Sequence, residues 1–313
     1  MQTGIKNLVL FLLLGVFITP FGGNASVPDS LLTSPSEGLQ KPARFYLVAG
    51  TQIAGYTAAL MALNQAWYKD YPRSSFHFHN DLPDWLQQDK LGHMTAAYQL
   101  SRISFGTFRW AEADNRRSAW FGAISASAFL TAVEVLDGFS AEWGASVSDA
   151  VANKLGAALF LTQQLTWEEQ RIIMKYSFSA SGLAQYRPSL LGSTLPERML
   201  KDYNGQTFWL SVNLSSILFA DSWLPDWLNV AIGHGAYGML GSRSNPIFYN
   251  GSDLPYFERC RQWYLAPDID LSRIPVQNPW LKALLGGLNF LKMPAPAIEY
   301  NRIKGLQFHW LFF

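Results

Sequence analysis

Residues 118–138, SAWFGAISASAFLTAVEVLDG, run for sixteen positions without a charge before reaching Glu134 and Asp137. Gly122 and Ala126 lie four apart, the spacing at which small side chains share one helix face and let a neighbouring helix come close. Gly138 closes the stretch, so the pattern predicts a helix ending at Asp137. A carboxylate inside an apolar, Ala-rich bundle is costly unless it is paired, hydrogen-bonded or metal-bound. Glu134 therefore demands partners, and they should lie on neighbouring helices.

Three such helices are legible around it. Upstream, a helix should start at Asp89 and run through Lys90-Leu91-Gly92-His93 to about Phe105, with Arg109, Arg116 and Arg117 in the connection that follows. Downstream of Trp143-Gly144, another should begin near Ser146 and carry Asp149, Asn153, Gly156 and Phe160. Further upstream, Phe45 to Tyr68 is uncharged and long enough to span a bilayer. Gly50, Ala54, Ala58 and Ala62 give it a small-residue stripe, although an Ala-rich core helix of a soluble bundle reads the same way. These helices make a core region over 44–170.

The region 171–313 reads differently. Pro188, Pro196 and several glycines punctuate 177–206, and short helices are expected over 207–220 and 227–240. Asp268 to Ile274 and Ile298 to Phe313 alternate polar and apolar residues, as half-buried strands do. Pro279 to Lys292 looks like a helix with Pro in its first turn. The expected fold is mainly α: a bundle of about four Ala/Gly-rich helices, further helices, and a small C-terminal antiparallel β pair. Gln307 to Phe313 is similar to the last strand of an outer-membrane barrel, but such a barrel needs at least about eight strands and only two are legible.

Composition narrows the class. Charged residues are 15% of the 313, against about 25% in an average soluble domain, and aromatics also reach 15%. The net charge of +1 gives no pull on polyanions, so nucleic acid is excluded as a partner. The mean hydropathy of +0.03 is too low for a chain that is mostly membrane-spanning. Lys6 precedes an apolar run, Leu8 to Ile18, that Pro20, Gly22 and Gly23 break, and Gly23-Asn24-Ala25 offers a small-x-small cleavage site. That is the layout of a secretory signal peptide over 1–25, followed by a Ser/Pro-rich linker over 26–43. Cys260 is the only cysteine, which excludes an intrachain disulfide, a thiolate zinc site and a lipid-anchored cysteine after the apolar run.

The candidate site is a set of one-turn pairs: Asp89 with His93, Glu134 with Asp137, and Asp149 with Asn153. Residues three or four apart share a helix face. If the helices pack as neighbours, these six side chains and Lys90 converge on one polar pocket. Each has a plainer role available: Asp89 as a helix N-cap, Ser146-x-x-Asp149 as a capping box, Asn153 as a backbone partner. His77 and His79 belong to a polar loop, and His234 reads as a satisfied core histidine. No Glu-x-x-His pair is present for a di-iron bundle, and the residues specify neither a metal nor a cofactor.

DKLGHMTAAYQLSR (89–102) followed by EVLDGFSAEWGASVSDAVANKLGA (134–157) resembles the YfiM-like family of predicted periplasmic lipoproteins, a domain of unknown function. The order of an Asp-Lys-x-x-His helix, a Glu-bearing helix and an Asp-x-x-x-Asn helix also resembles VanZ-like membrane proteins. By this resemblance Asp89, Lys90, His93, Glu134, Asp137, Gly138, Ser146, Asp149 and Asn153 are the motif positions. The missing lipobox cysteine departs from the family, and the family supplies no activity. Glu134-x-x-Asp137-Gly138 is similar to the acidic motif of CDP-alcohol phosphatidyltransferases, but Glu142 stands where that motif needs Arg.

The expectation is an exported, membrane-associated envelope protein that binds or remodels an envelope lipid or glycolipid at a polar pocket. Two rivals differ in class: a metal-assisted hydrolase or transferase using Asp89, His93, Glu134 and Asp149, and a structural component whose polar cluster locks helix register. Protein partners are not specified.

Overall fold

The computed structural model describes residues 42–65, 72–217 and 224–313. The signal peptide expected over 1–25, the linker up to residue 41 and the ends of two expected helices lie outside them. Four long helices come first: α1 (Pro42–Leu63), α2 (Gln88–Trp110), α3 (Asn115–Asp137) and α4 (Val147–Thr166). Then follow β1 (Ile172–Phe178), short helices α5 (Pro188–Leu191) and α6 (Leu195–Lys201), β2 (Gln206–Asn213), α7 (Leu214–Ile217) and β3 (Leu228–Tyr237). The chain ends with the hairpin β4 (Phe248–Tyr249) and β5 (Ser252–Asp253), β6 (Cys260–Ile269), α8 (Pro279–Leu288), β7 (Ala295–Asn301) and β8 (Gly305–Phe312).

α2 is the central helix, packed against both α3 and α4. Glycine makes this possible at two points. A Cβ on Gly122 would sit 2.6 Å from the Ser101 carbonyl oxygen, and one on Gly156 only 2.0 Å from that of Met94. Tyr98, Ala119 and Phe160 fill the space between the three helices, joined by Ile173 and Met174 from β1. α1 is attached more lightly, through Phe45 against Phe108 and Phe121 and through Tyr56 stacked on Phe129. Val48 is its one buried residue. Its small-residue stripe does not serve close packing: Cβ atoms on Gly50 and Gly55 would meet nothing within 4 Å. α1 and α3 are both long and apolar enough to cross a membrane, with 6% and 39% of their apolar windows buried.

The second half corrects the expected mainly α class. Six strands form one antiparallel sheet in the order β1-β2-β3-β6-β7-β8, so the protein is α+β. The stretches 207–220 and 227–240, expected as helices, contain β2 and β3. Their residues alternate: Trp209, Ser211 and Asn213 point to the buried side of β2 while Leu210 is exposed. Gly233 lies under the Trp209 ring, where a Cβ would come within 2.7 Å of it, and this position calls for glycine. The expected strand 268–274 is the tail of β6 followed by a short 3-10 turn that Asp270 caps. The expected strand 298–313 is a hairpin, β7 and β8, turning through Gly305 at φ +68°.

The sheet's buried side is mixed: Trp209, Ala231, Tyr264, Ala266 and Ala297 form an apolar cluster, and a polar network lies beside it. Lys175 of β1 forms an ion pair of 2.8 Å with Asp268 of β6, and Lys292 lies 3.7 Å from the same carboxylate. Ser211 donates to Asp268, and Asn229 donates to Ser211. All five side chains are buried.

Candidate polar centre at the start of the second helix

The first turn of α2 is placed by an unusual approach. Trp85, Leu86 and Gln87 all have positive φ, 48°, 52° and 66°, and none is glycine. Left-handed backbone costs an L-residue about 1–2 kcal/mol each, so the surroundings must hold it. The Trp85 N–H donates to the Ser242 carbonyl, and Arg243 pairs with Asp84 at 2.6 Å. Arg261 reaches the Gln87 side chain, and the Trp85 ring packs on Tyr203. The result delivers Asp89 and Lys90 inward at the head of α2. Asp89 is not the N-cap that its position suggests, because the helix already begins at Gln88.

Lys90 is the hub of the centre. Its Nζ lies 2.6 Å from Asp81 Oδ2, 2.9 Å from Asp89 Oδ2 and 2.6 Å from Asp149 Oδ1. Tyr203 donates its hydroxyl to the other oxygen of Asp89 at 2.6 Å. Ser146 and Ser148 donate to Asp81 Oδ1 at 2.5 and 2.6 Å. Ser146 also caps α4 by accepting the Asp149 N–H, so the capping box exists alongside the cluster.

His93 lies one turn further along α2 and faces all three helices. Its Nδ1 is 3.2 Å from Asn153 Oδ1 and 3.6 Å from Glu134 Oε1, and its Nε2 is 3.8 Å from Asp89 and 3.9 Å from Asp149. The Ser146 N–H donates to Glu134 Oε2. Glu134 Oε1 and Asn153 Nδ2 are buried without a hydrogen-bond partner. Asp137 influences Glu134 through its charge from the next turn of α3. The structure thus brings Asp89, Lys90, His93, Glu134, Asp149 and Asn153 into contact, with Asp137 at the margin. Asp81, Ser148 and Tyr203 are further members, contributed by a loop and by the C-terminal half.

The environment splits the four carboxyls. Burial opposes the ionisation of Asp81, but hydrogen bonds with Asp149, Lys90, Ser146 and Ser148 hold it well below the usual range. Asp89 is likewise lowered, against burial, by His93, Lys90 and Tyr203. Burial pushes Glu134 up to about 7, with His93 and the Ser146 N–H pulling the other way. Burial and the charge of Asp89 raise Asp149, and its hydrogen bond with Asp81 adds to the rise. His93 is raised because Asp89, Asp149 and Glu134 outweigh the effect of its burial, and Lys90 is raised by the same logic. Groups pushed apart in this way can hold and pass protons near neutral pH.

The other histidines do different work. His77 bonds the Trp143 carbonyl at 2.7 Å, and the segment 72–79 bridges to 138–145. His234 sits in β3, not a helix, with its Nδ1 on Gln88 at 2.7 Å. Gly138 and Gly144 do more than end turns: a Cβ on either would come within 2.3 and 2.7 Å of Phe76 and His79.

Three helices thus close around a mixed acid–base centre and join an antiparallel sheet. Residues 78–164 match the model of a family described as predicted periplasmic lipoproteins, DUF2279, a domain of unknown function. That match covers α2, α3, α4 up to residue 164 and the polar centre apart from Tyr203, and its description is consistent with an exported, cell-envelope location. No curated protein and no solved structure matches the chain. The VanZ-like resemblance therefore stays an expectation from motif order.

Proposed function

We propose that this envelope protein is membrane-associated and binds a lipid or glycolipid, the head group at the polar centre and the acyl chain in an adjoining groove. The observation that carries the proposal is a pair of buried atoms without a hydrogen bond, Glu134 Oε1, which has only the 3.6 Å charge contact with His93, and Asn153 Nδ2, an acceptor and a donor side by side. Buried polar groups left without partners cost free energy, and a hydroxylated or phosphorylated head group offers both complements. Asp81, Asp89 and His93 keep 16%, 18% and 21% of their side-chain surface, which leaves an opening from solvent. An apolar groove of about 1310 Å³ runs between α1, α3 and α4, lined by Leu60, Trp120, Ile124, Ala128, Val135 and Leu161 among others. Lys154 lines it too, one residue from Asn153, so groove and centre flank the α3–α4 contact.

The test is lipid extraction and mass spectrometry of protein purified from membranes. Wild type should carry a lipid, Ala128→Trp should lose it by filling the groove, and His93→Ala should change the head-group class retained. Absence of any lipid from wild type, with no binding of added lipid, would overturn the proposal.

One observation favours a second reading, a metal-assisted hydrolase or transferase. Donor atoms of Asp89, His93 and Asp149 all lie within 4.8 Å of one another, a span that a divalent cation could draw together. Lys90 already occupies the other oxygens of both aspartates, so a cation would have to compete with an ammonium. Thermal stability measured with Mg²⁺, Mn²⁺ and Zn²⁺, against Asp149→Asn as control, decides this reading.

A further inference from the structure

The C-terminal sheet has an apolar face that α2 covers at its β1–β2 end, through Met174 and Phe208, and leaves open further along. The opposite side carries the Lys175–Asp268–Lys292 network beside the buried cluster of Trp209, Ala231, Tyr264, Ala266 and Ala297, while this outer face is apolar from strand to strand. Register aligns Leu210, Ile232, Leu265, Ile298 and Phe308 in one row across five strands. A second row runs from His234, which Gln88 of α2 covers, to Trp263, then Tyr300, then Leu306. Nothing among the described residues covers the far end of this face: Leu306 is 74% and Trp310 82% exposed.

We infer that this outer face of β3, β6, β7 and β8 lies against an anionic lipid bilayer. Three observations favour lipid over another protein. Outward-facing apolar residues at every second position are the pattern of strands with hydrocarbon on one side. The two rows contain no carboxylate, lysine or arginine, whereas Trp263, Tyr300 and Trp310 are the residue types that settle at the lipid–water boundary. One rim of the face is basic: Arg261 is the second residue of β6 and Lys304 lies in the β7–β8 turn, both exposed, while Arg302 in the same turn is paired with Glu258 at 2.6 Å. That rim complements anionic head groups. The inference is independent of any lipid held at the polar centre.

The test uses the full chain with a single reporter thiol. Phe308→Cys in a Cys260→Ser background, labelled with a polarity-sensitive fluorophore, is mixed with vesicles of phosphatidylcholine alone or with phosphatidylglycerol. Leu306→Cys is the second reporter should the first fold poorly, and Ser252→Cys on the β4–β5 hairpin is the control. Expected is a blue shift at 308 with anionic vesicles, quenching by brominated acyl chains, and no change at 252. Lys304→Ala should weaken partitioning onto anionic vesicles about fivefold and leave neutral vesicles unaffected. Protein that floats with vesicles while the 308 signal stays unchanged overturns the inference, since α1 or the groove would then hold it. A blue shift that appears without vesicles, together with a dimer mass by light scattering, overturns it in favour of a second copy. Ala128→Trp keeps the two proposals apart, because it should abolish the co-purified lipid and spare the 308 signal.

Discussion

Replacing Glu134 by Gln should stabilise the protein at alkaline pH and do little at acid pH. The carboxyl is buried, and its pKa rises from the ordinary 4.5 to about 7. A rise of that size corresponds to about 3 kcal/mol of extra cost for ionising it in the folded state. The sign follows from linkage: a group raised on folding contributes stability below its unfolded pKa and loses it as pH climbs through the folded one. Wild type should therefore weaken between about pH 4.5 and 7 from this group alone, and Glu134→Gln should not. The gain is reduced because Glu134 is one of three anions that raise His93, so a net advantage of about 2 kcal/mol above pH 8 is expected. Gln keeps an oxygen for the Ser146 N–H, so the cap of α4 survives. Urea unfolding of both proteins from pH 4.5 to 8.5, followed by circular dichroism, measures the difference directly. A difference that does not change with pH, or a variant weaker than wild type at pH 8.5, would refute the reasoning.

Lys90→Met should cost about 3–5 kcal/mol, the price of leaving buried carboxylates without their cation; Asp81→Asn in the same chain should recover part of the loss in a denaturation midpoint. Because Asp81 and Asp89 are held low, that loss should be present at neutral pH and shrink in acid, as pH falls below the unfolded carboxylate range. Tyr203→Phe removes a 2.6 Å hydrogen bond to the partly buried Asp89 carboxylate and should lower stability by about 1.5–3 kcal/mol, read by thermal melting. Gly156→Ala drives a methyl into the Met94 carbonyl and should destabilise by about 1–3 kcal/mol or more, whereas Gly50→Ala in α1 should be neutral or slightly stabilising.

The helical half was readable because its signals are local. A charge-free run with Gly122 and Ala126 four apart marks α3, a capping serine marks α4, and one-turn spacing put the paired candidate residues on shared helix faces. The sheet was harder to read because both of its faces carry apolar residues. In β2, Thr207, Trp209, Ser211 and Asn213 alternate with Phe208, Leu210 and Val212, a period-two pattern obscured by Trp209 among the polar residues of one face. In β3, Gly233 and Gly235 argue against a helix, and together with Asn229 they were the available clue. Asp81 and Tyr203 had no sequence signal at all, since they meet Asp89 and Lys90 through tertiary packing. Lys90, expected only nearby, is the residue that everything else surrounds.

The left-handed turn ahead of α2 sets an order of assembly. Its clamps, Ser242, Arg243, Arg261 and Tyr203, are synthesised long after the helices whose carboxylates they help to position. As the chain emerges from the N-terminal end, α2, α3 and α4 can therefore meet first with Asp89 incompletely partnered, and the centre closes only when the sheet arrives. The matched stretch 78–164 expressed by itself would carry the motif without its lock. Trimming this protein to its most recognisable segment would thus remove the parts that finish the site.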